Sequence, residues 1–348
     1  MVPRWNFSLI FIVCFYFNGD YPKLFIFEKR CIFLMKIDDD LNRDLETDDK
    51  EITVPDEDDD IIEFSEKLPG KINSPEQERN NRIINSSVAY MASLATVYIS
   101  FFLVTALFAK QQKLFYKLFF FKVEFTQNYT LWEISPVLKT FSSGPIFCVI
   151  MGTIALIVQK FYRKRPGILK LFWLWLGVNY LNFFCAQMIL MPIKANSQGI
   201  NASYLGIVAD YMYFEDFGKM IFSVIAAIIL VFIGSIVAKP FIQLTNSTQN
   251  IHKNENKLIY LFQTVFLPWL ICSAVSLIYF SDGSFILNLA LVLTMFMIII
   301  SIFINAMKSR MIMIYKMPET GEIENKFLIV LSSVLIFMKI FLNNGIRF

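Results

Sequence analysis

A single histidine, His252, stands in a polar stretch between Asn250 and Asn254, and its isolation limits the chemistry open to this chain. Zinc hydrolysis within a membrane needs a His-Glu-x-x-His pair or its equivalent, and a serine nucleophile needs a histidine base beside it. Neither arrangement is present. Paired-aspartate proteolysis needs two carboxylates at membrane depth, whereas Asp210 and Asp216 lie in one loop or at its edge. No Gly-x-x-x-x-Gly-Lys-Ser/Thr loop occurs, which argues against an intrinsic ATP motor. Cys14, Cys31, Cys148, Cys185 and Cys272 form no Cys-x-x-Cys pair, so neither a disulfide framework nor a metal site is expected of them. The acidic runs 38–40 and 56–60 lack the spaced ligands, central glycine and distal glutamate of a helix-loop-helix calcium site. No catalytic residue, metal or cofactor is therefore predicted. An enzyme acting on lipid or peptide would have to gather Glu124, Glu133, Asp210, Glu215 or Asp216 at the outer face.

Three polar features remain. Asn179, Asn182 and Gln187 fall within about 140° of one helix circumference at 100° per residue. Amides surrounded by hydrocarbon must find partners, so this face is expected to look into a bundle, as helix-helix glue or as the lining of a solute path. Ser223, Ala227, Gly234 and Ala238 form a small-residue stripe that lets another helix approach, from this chain or a partner. A weaker stripe comprises Thr294, Ser301 and Asn305. The third feature is the loop sequence Asp210-Tyr211-Met212-Tyr213-Phe214-Glu215-Asp216-Phe217, an acidic and aromatic cluster and the best surface for a partner. An aromatic belt with a negative helix start is its plainer reading. Asn128 and Asn201 each begin a glycosylation sequon, a pattern short enough to arise by chance in an Asn-rich chain.

The elements that must carry these residues are membrane spans. Apolar residues make up 56% of the chain and come in runs of about 17–25, the length that crosses a hydrocarbon core. Six spans are predicted, at about 88–109, 144–161, 168–191, 217–238, 258–280 and 284–306. Phe327 to Leu342 is a shorter apolar segment containing Lys339, which either crosses as a seventh span or lies along the interface. Trp173 and Trp175 are expected near the interface at the start of the third span. Pro192 ends that span, and Pro268 interrupts the fifth and frees backbone groups there. The fold class is thus all-α, a multi-pass transmembrane bundle.

Charge gives the orientation. Lys160, Arg163, Lys164 and Arg165 crowd the turn between the second and third spans, which places that turn and the N-terminus in the cytoplasm. Lys308, Arg310 and Lys316 agree. Lys110, Lys113, Lys117, Lys122 and Lys139, in the first external loop, conflict with this orientation, and the conflict stays open; part of that loop, Leu114 to Val123, mixes lysines with Phe and Leu and could lie in the interface, where basic residues snorkel.

Three regions result. Residues 1–34 form a leader whose apolar run, Trp5 to Phe17, suits a short anchor or signal; alternatively Met35 is the true start and the leader is upstream sequence. Residues 35–86 read as a disordered acidic tail, with 6 basic against 17 acidic residues over 36–81. Residues 87–348 form the transmembrane domain. Residues 82–348 carry 22 basic against 10 acidic residues, and beside spans this favours anionic headgroups over nucleic acid. The expected partners are the lipid bilayer and another membrane protein.

Ser142-Ser143-Gly144-Pro145-Ile146-Phe147, followed by the basic turn and Trp173-Leu174-Trp175-Leu176-Gly177-Val178-Asn179-Tyr180, resembles bacterial multi-pass membrane proteins over about 50 residues. Some of those resemble zinc metalloproteases of the membrane, which share a Gly-Pro-like span start. The resemblance implies at most a related scaffold in a bacterial cytoplasmic membrane, because the zinc ligands are missing. The leading expectation is a non-catalytic scaffold or partner-binding component. A small-solute transporter or channel using the third-span amides is the alternative, and the membrane enzyme with external carboxylates comes third.

Overall fold

The computed structural model describes residues 75–119, 122–126, 132–162, 168–194, 203–245, 254–279, 285–308, 325–342 and 345–347. The leader, the acidic segment up to residue 74, the basic turn 163–167, the sequon asparagines, His252 and the turn 281–283 lie outside them.

In order, the elements are α1 (Pro75–Gln111), β1 (Tyr116–Leu118), β2 (Val123–Phe125), α2 (Ile134–Tyr162), α3 (Leu169–Ile189), α4 (Tyr204–Tyr211), α5 (Asp216–Ile242), α6 (Asn254–Leu261), a π-turn (Phe262–Phe266), α7 (Leu267–Tyr279), α8 (Phe285–Lys308), α9 (Asn325–Leu342) and β3 (Ile346–Arg347). Five segments, Glu76–Gln111, Ile134–Tyr162, Asp216–Ile242, Asn254–Ile278 and Phe285–Lys308, are long and apolar enough to cross a membrane, which makes this an integral membrane protein. Their exposure pattern agrees. Ile146, Ile150, Ile154 and Ile157 form an exposed apolar stripe on α2, and Met220, Val224, Ile228, Phe232 and Ile236 do so on α5, while Ser86, Ser93, Asn179, Asn182, Thr294 and Ser301 are buried. Such an outer surface suits lipid.

Several boundaries differ from expectation for identifiable reasons. α1 begins at Pro75, well before the expected span, so residues 75–86 are helix and not tail. Proline suits the first helical position, Glu76 and Glu78 complement the dipole of the first turn, and Ser86 is fully buried. α2 begins at Ile134, so Gly144-Pro145 lies inside the helix instead of opening a span. Leu114 to Val123 contains β1 and the first residue of β2. β1 pairs antiparallel with β2 there, Tyr116 opposite Phe125. β3 adds to the other edge of β1, Lys117 opposite Arg347. A small three-stranded sheet of order β2-β1-β3 therefore accompanies the helices.

α3 falls outside the five because its amides, Lys170 and two indoles lower its average hydropathy. It is nonetheless the pillar of the bundle, packed by α1, α2, α5 and α8, with Leu174, Trp175, Val178, Phe183, Cys185 and Ala186 fully buried. A helix covered by protein on most sides needs less lipophilicity than one facing lipid.

Candidate functional site

The amides of α3 are committed to neighbouring elements. Asn179 Nδ2 donates to Ser93 Oγ of α1 at 2.6 Å, and the Ser93 hydroxyl donates onward to the Tyr90 carbonyl at 2.7 Å. Asn182 Nδ2 donates to the Leu291 carbonyl of α8 at 3.0 Å. Gln187, at the end of α3, acts on a helix end instead, where its Oε1 accepts the Tyr204 N–H at 2.8 Å and so satisfies the first amide of α4. Ser203 caps the same helix, accepting from the Gly206 N–H at 2.9 Å. The expected common face therefore splits into two interhelical ties and one helix cap. The Asn179 and Asn182 carboxamide oxygens are buried and receive no hydrogen bond among the described residues.

A second polar hub, which no pattern in the sequence singles out, joins α1, α3 and the π-turn. Pro268 has no N–H for the Thr264 carbonyl four residues earlier, and the backbone answers with a π-turn in which the Leu267 N–H reaches Phe262 O. The freed Thr264 carbonyl accepts from Ser86 Oγ at 2.5 Å, and Ser86 Oγ accepts from Trp175 Nε1 at 3.1 Å. Trp175 does not present its indole to the outside. It is fully buried, edge-on to Tyr90 at 4.8 Å and to Phe241 at 4.9 Å. Trp173 is half-buried and packs against Tyr162 with ring centroids 6.3 Å apart.

The small-residue stripe of α5 meets this chain's own helices. A Cβ on Gly234 would stand 2.5 Å from Ser301 Cβ and 2.6 Å from the Ile298 carbonyl, so α5 and α8 touch backbone to backbone there. Ser301 Oγ donates to the Val231 carbonyl at 2.6 Å and Asn305 Nδ2 to Ser235 Oγ at 2.9 Å, so the two stripes face each other. Ala238 is buried and Ala227 half-buried, while Ser223 Oγ reaches the Met188 and Ile189 carbonyls at 3.2 and 3.3 Å. Two further close approaches carried no clear signal in the sequence. Gly177 of α3 lies against Leu156 and the Gly152 carbonyl of α2, and Gly144 of α2 lies against Phe101 and Thr105 of α1.

On the loop, Lys219 in the first turn of α5 is ion-paired with Asp210 and lies 3.3 Å from Asp216, with only 5% of its side chain exposed. Much of the expected acidity is neutralised within the loop, while Glu215 is exposed. Burial raises the Tyr211 phenol above its ordinary pKa, with Tyr213 adding to the effect, and burial also raises that of Tyr204, so neither carries charge at ordinary pH. α4 ends in a Schellman turn: Phe214 N–H bonds Ala209 O at 2.9 Å and Tyr213 N–H bonds Asp210 O at 3.1 Å. The residue placed in the left-handed region by that turn is Tyr213, at φ 55°, where glycine is the usual occupant. Its side chain is 85% exposed, beside exposed Met212, Phe214 and Phe217.

Of the carboxylates proposed for an enzyme, Glu124 is paired with Lys122 at 2.6 Å and Glu133 is exposed. Among the described residues no three His, Cys, Asp or Glu side chains gather into a cluster able to hold a metal ion. Comparison of the chain with protein-family models, with curated proteins and with solved structures finds no match.

Proposed function

We propose that this chain is a non-catalytic membrane component that binds another protein through the turn Met212–Phe217. The observation that carries the reading is Tyr213. A bulky residue in the left-handed region costs roughly 1–2 kcal/mol that glycine would avoid, and at 85% exposure the residue recovers little of it from the described residues. Strain retained at an exposed aromatic is intelligible if a partner uses that ring, and the rigid α4 cap presents it. Asp210, Lys219 and Asp216 hold the base of the turn in place. A photo-crosslinking residue at position 213 in native membranes is expected to give a discrete protein adduct. The same residue at Phe232, which is 65% exposed on the apolar outer face of α5, should give none. Equal yields at the two sites would overturn the reading.

The same reading includes a topology of seven crossings with the N-terminus in the cytoplasm. α3 serves as a sixth crossing because it is sheathed by other helices. For α9, Phe327 packs on Phe172 at the end of α3 nearest the basic turn, while β3 pairs with β1 beyond the far end of α1. Eighteen residues at about 1.5 Å each give about 27 Å, enough to join those two ends with little slack.

Transport of a small solute is the second reading, favoured by the Asn179 and Asn182 oxygens, which receive no hydrogen bond among the described residues. It requires that leucine at both positions abolish uptake by reconstituted vesicles while the protein stays folded. The scaffold reading predicts altered stability alone.

A further inference from the structure

β1 and β2 form a ladder with two unlike faces. Their pairing runs past the strand ends, since the Thr126 N–H bonds the Phe115 carbonyl at 3.1 Å and the Phe119 N–H bonds the Lys122 carbonyl at 2.9 Å. Residues directly opposite each other share a face, and faces alternate along a strand. Tyr116, Leu118, Val123 and Phe125 thus make one face, which packs against the core. The other face carries Phe115, Lys117 and Phe119 opposite Thr126, Glu124 and Lys122. Phe115 is 67% exposed, and Thr126 and Glu124 are exposed beside it.

Charge on this outward face does not balance. Glu124, the carboxylate opposite Lys117, is already paired with Lys122 at 2.6 Å. On the other side of Lys117 the register of β3 sets Arg347. Adjacent strands are about 4.8 Å apart, and cations in directly opposed positions are unfavourable. Lys117 itself has no ion pair among the described residues. An anion there would relieve the row.

The rings on the same face indicate where that anion comes from. A strand facing bulk water gains nothing from an outward phenylalanine on either side of a lysine. The edge of a bilayer suits both, with rings toward the acyl chains and ammonium groups toward the phosphates. β1 follows closely on α1, whose Leu103, Leu107 and Phe108 stay exposed near its last turn, so the sheet stands where hydrocarbon gives way to headgroups.

We propose that this face seats the phosphate of an anionic phospholipid at Lys117, between the Lys122–Glu124 pair and the Arg347 position of β3. Lys117 is one of the lysines that conflict with a cytoplasmic N-terminus, and headgroup binding gives it a use on that side. The proposal does not rest on the Tyr213 reading.

The full chain in phosphatidylcholine vesicles, doped with photoactivatable phosphatidylglycerol or photoactivatable phosphatidylcholine, provides the test. The glycerol lipid is expected to label the chain around Phe115 about fivefold more than the choline lipid, the factor that one surface cation supplies. Lys117→Gln should bring the two yields together and Lys117→Arg should keep them apart. Lys160→Gln, at the opposite end of α2, should leave the preference unchanged. Should Lys117→Gln fail to fold, the wild-type ratio decides alone. Equal labelling of the wild type overturns the proposal, as does a preference that survives Lys117→Gln. Loss of the preference on adding millimolar inorganic phosphate also overturns it, since that would assign the site to a soluble anion.

Discussion

Ser86 joins a proline-freed carbonyl to a buried indole, and its replacement by alanine removes one group while orphaning two. Leaving the Trp175 N–H and the Thr264 carbonyl unpaired is expected to cost about 1–3 kcal/mol or more. The matched comparison is Thr264→Val, which deletes a buried hydroxyl that has no partner among the described residues and should be neutral or stabilising. Thermal unfolding in detergent measures both, and a Ser86→Ala midpoint at or above wild type would remove the hub. In the sequence, Pro268 announced a freed carbonyl, but nothing marked Ser86 among the serines of α1. The acceptor and its donor are 178 residues apart, and only the packing of α1 on the fifth span brings them together. The reverse holds for Asn179 and Asn182. Their burial was legible because an amide in an apolar run has nowhere else to go, whereas their separate partners on α1 and α8 were not.

Helix pairs in this bundle are set by where backbones can approach. Gly234→Leu on α5 would drive a side chain into Ser301 and the Ile298 carbonyl, and overpacking of this kind costs about 1–3 kcal/mol or more. Gly218→Leu, in the same helix with only Phe214 within 4 Å of its Cβ position, should be tolerated. Equal loss of stability in the two variants would show that the α5–α8 approach is not the cause. The α5 stripe was readable from spacing alone, because small residues recurring on one side serve no purpose in lipid except close approach. Its partner was not, since α3 and α8 both offered matching faces and both are used. The pairing of β1 with β2 shows a different limit: lysines among Phe and Leu beside a membrane suit the interface whatever the backbone does, and only the pairing partner shows that these residues form strands.

Across the whole molecule, the number of crossings determines on which sides the termini lie. A protease-cleavable tag after Phe348 is expected to be accessible from the face opposite to a single cysteine placed at Lys164, and accessibility from the same face would return α9 to the interface. The membrane class was legible from run length and composition, because crossing a hydrocarbon core needs a fixed length of apolar helix. The central place of α3 was not, since its low hydropathy gives the same signal for a marginal span as for a sheathed one. The pairing of β3 with β1 is the other feature that no local pattern foretells. Lys117 and Arg347 are partners from near opposite ends of the described chain, and Gly345, at φ 68°, turns the backbone into that pairing where a Cβ would strike the Phe119 ring. For a protein threaded into its membrane from the N-terminus onward, the β1 edge therefore stays open until Ile346 and Arg347 have been made. A chain whose α9 is misplaced would thus keep that edge unpaired, and an open strand edge is a template for pairing with another chain.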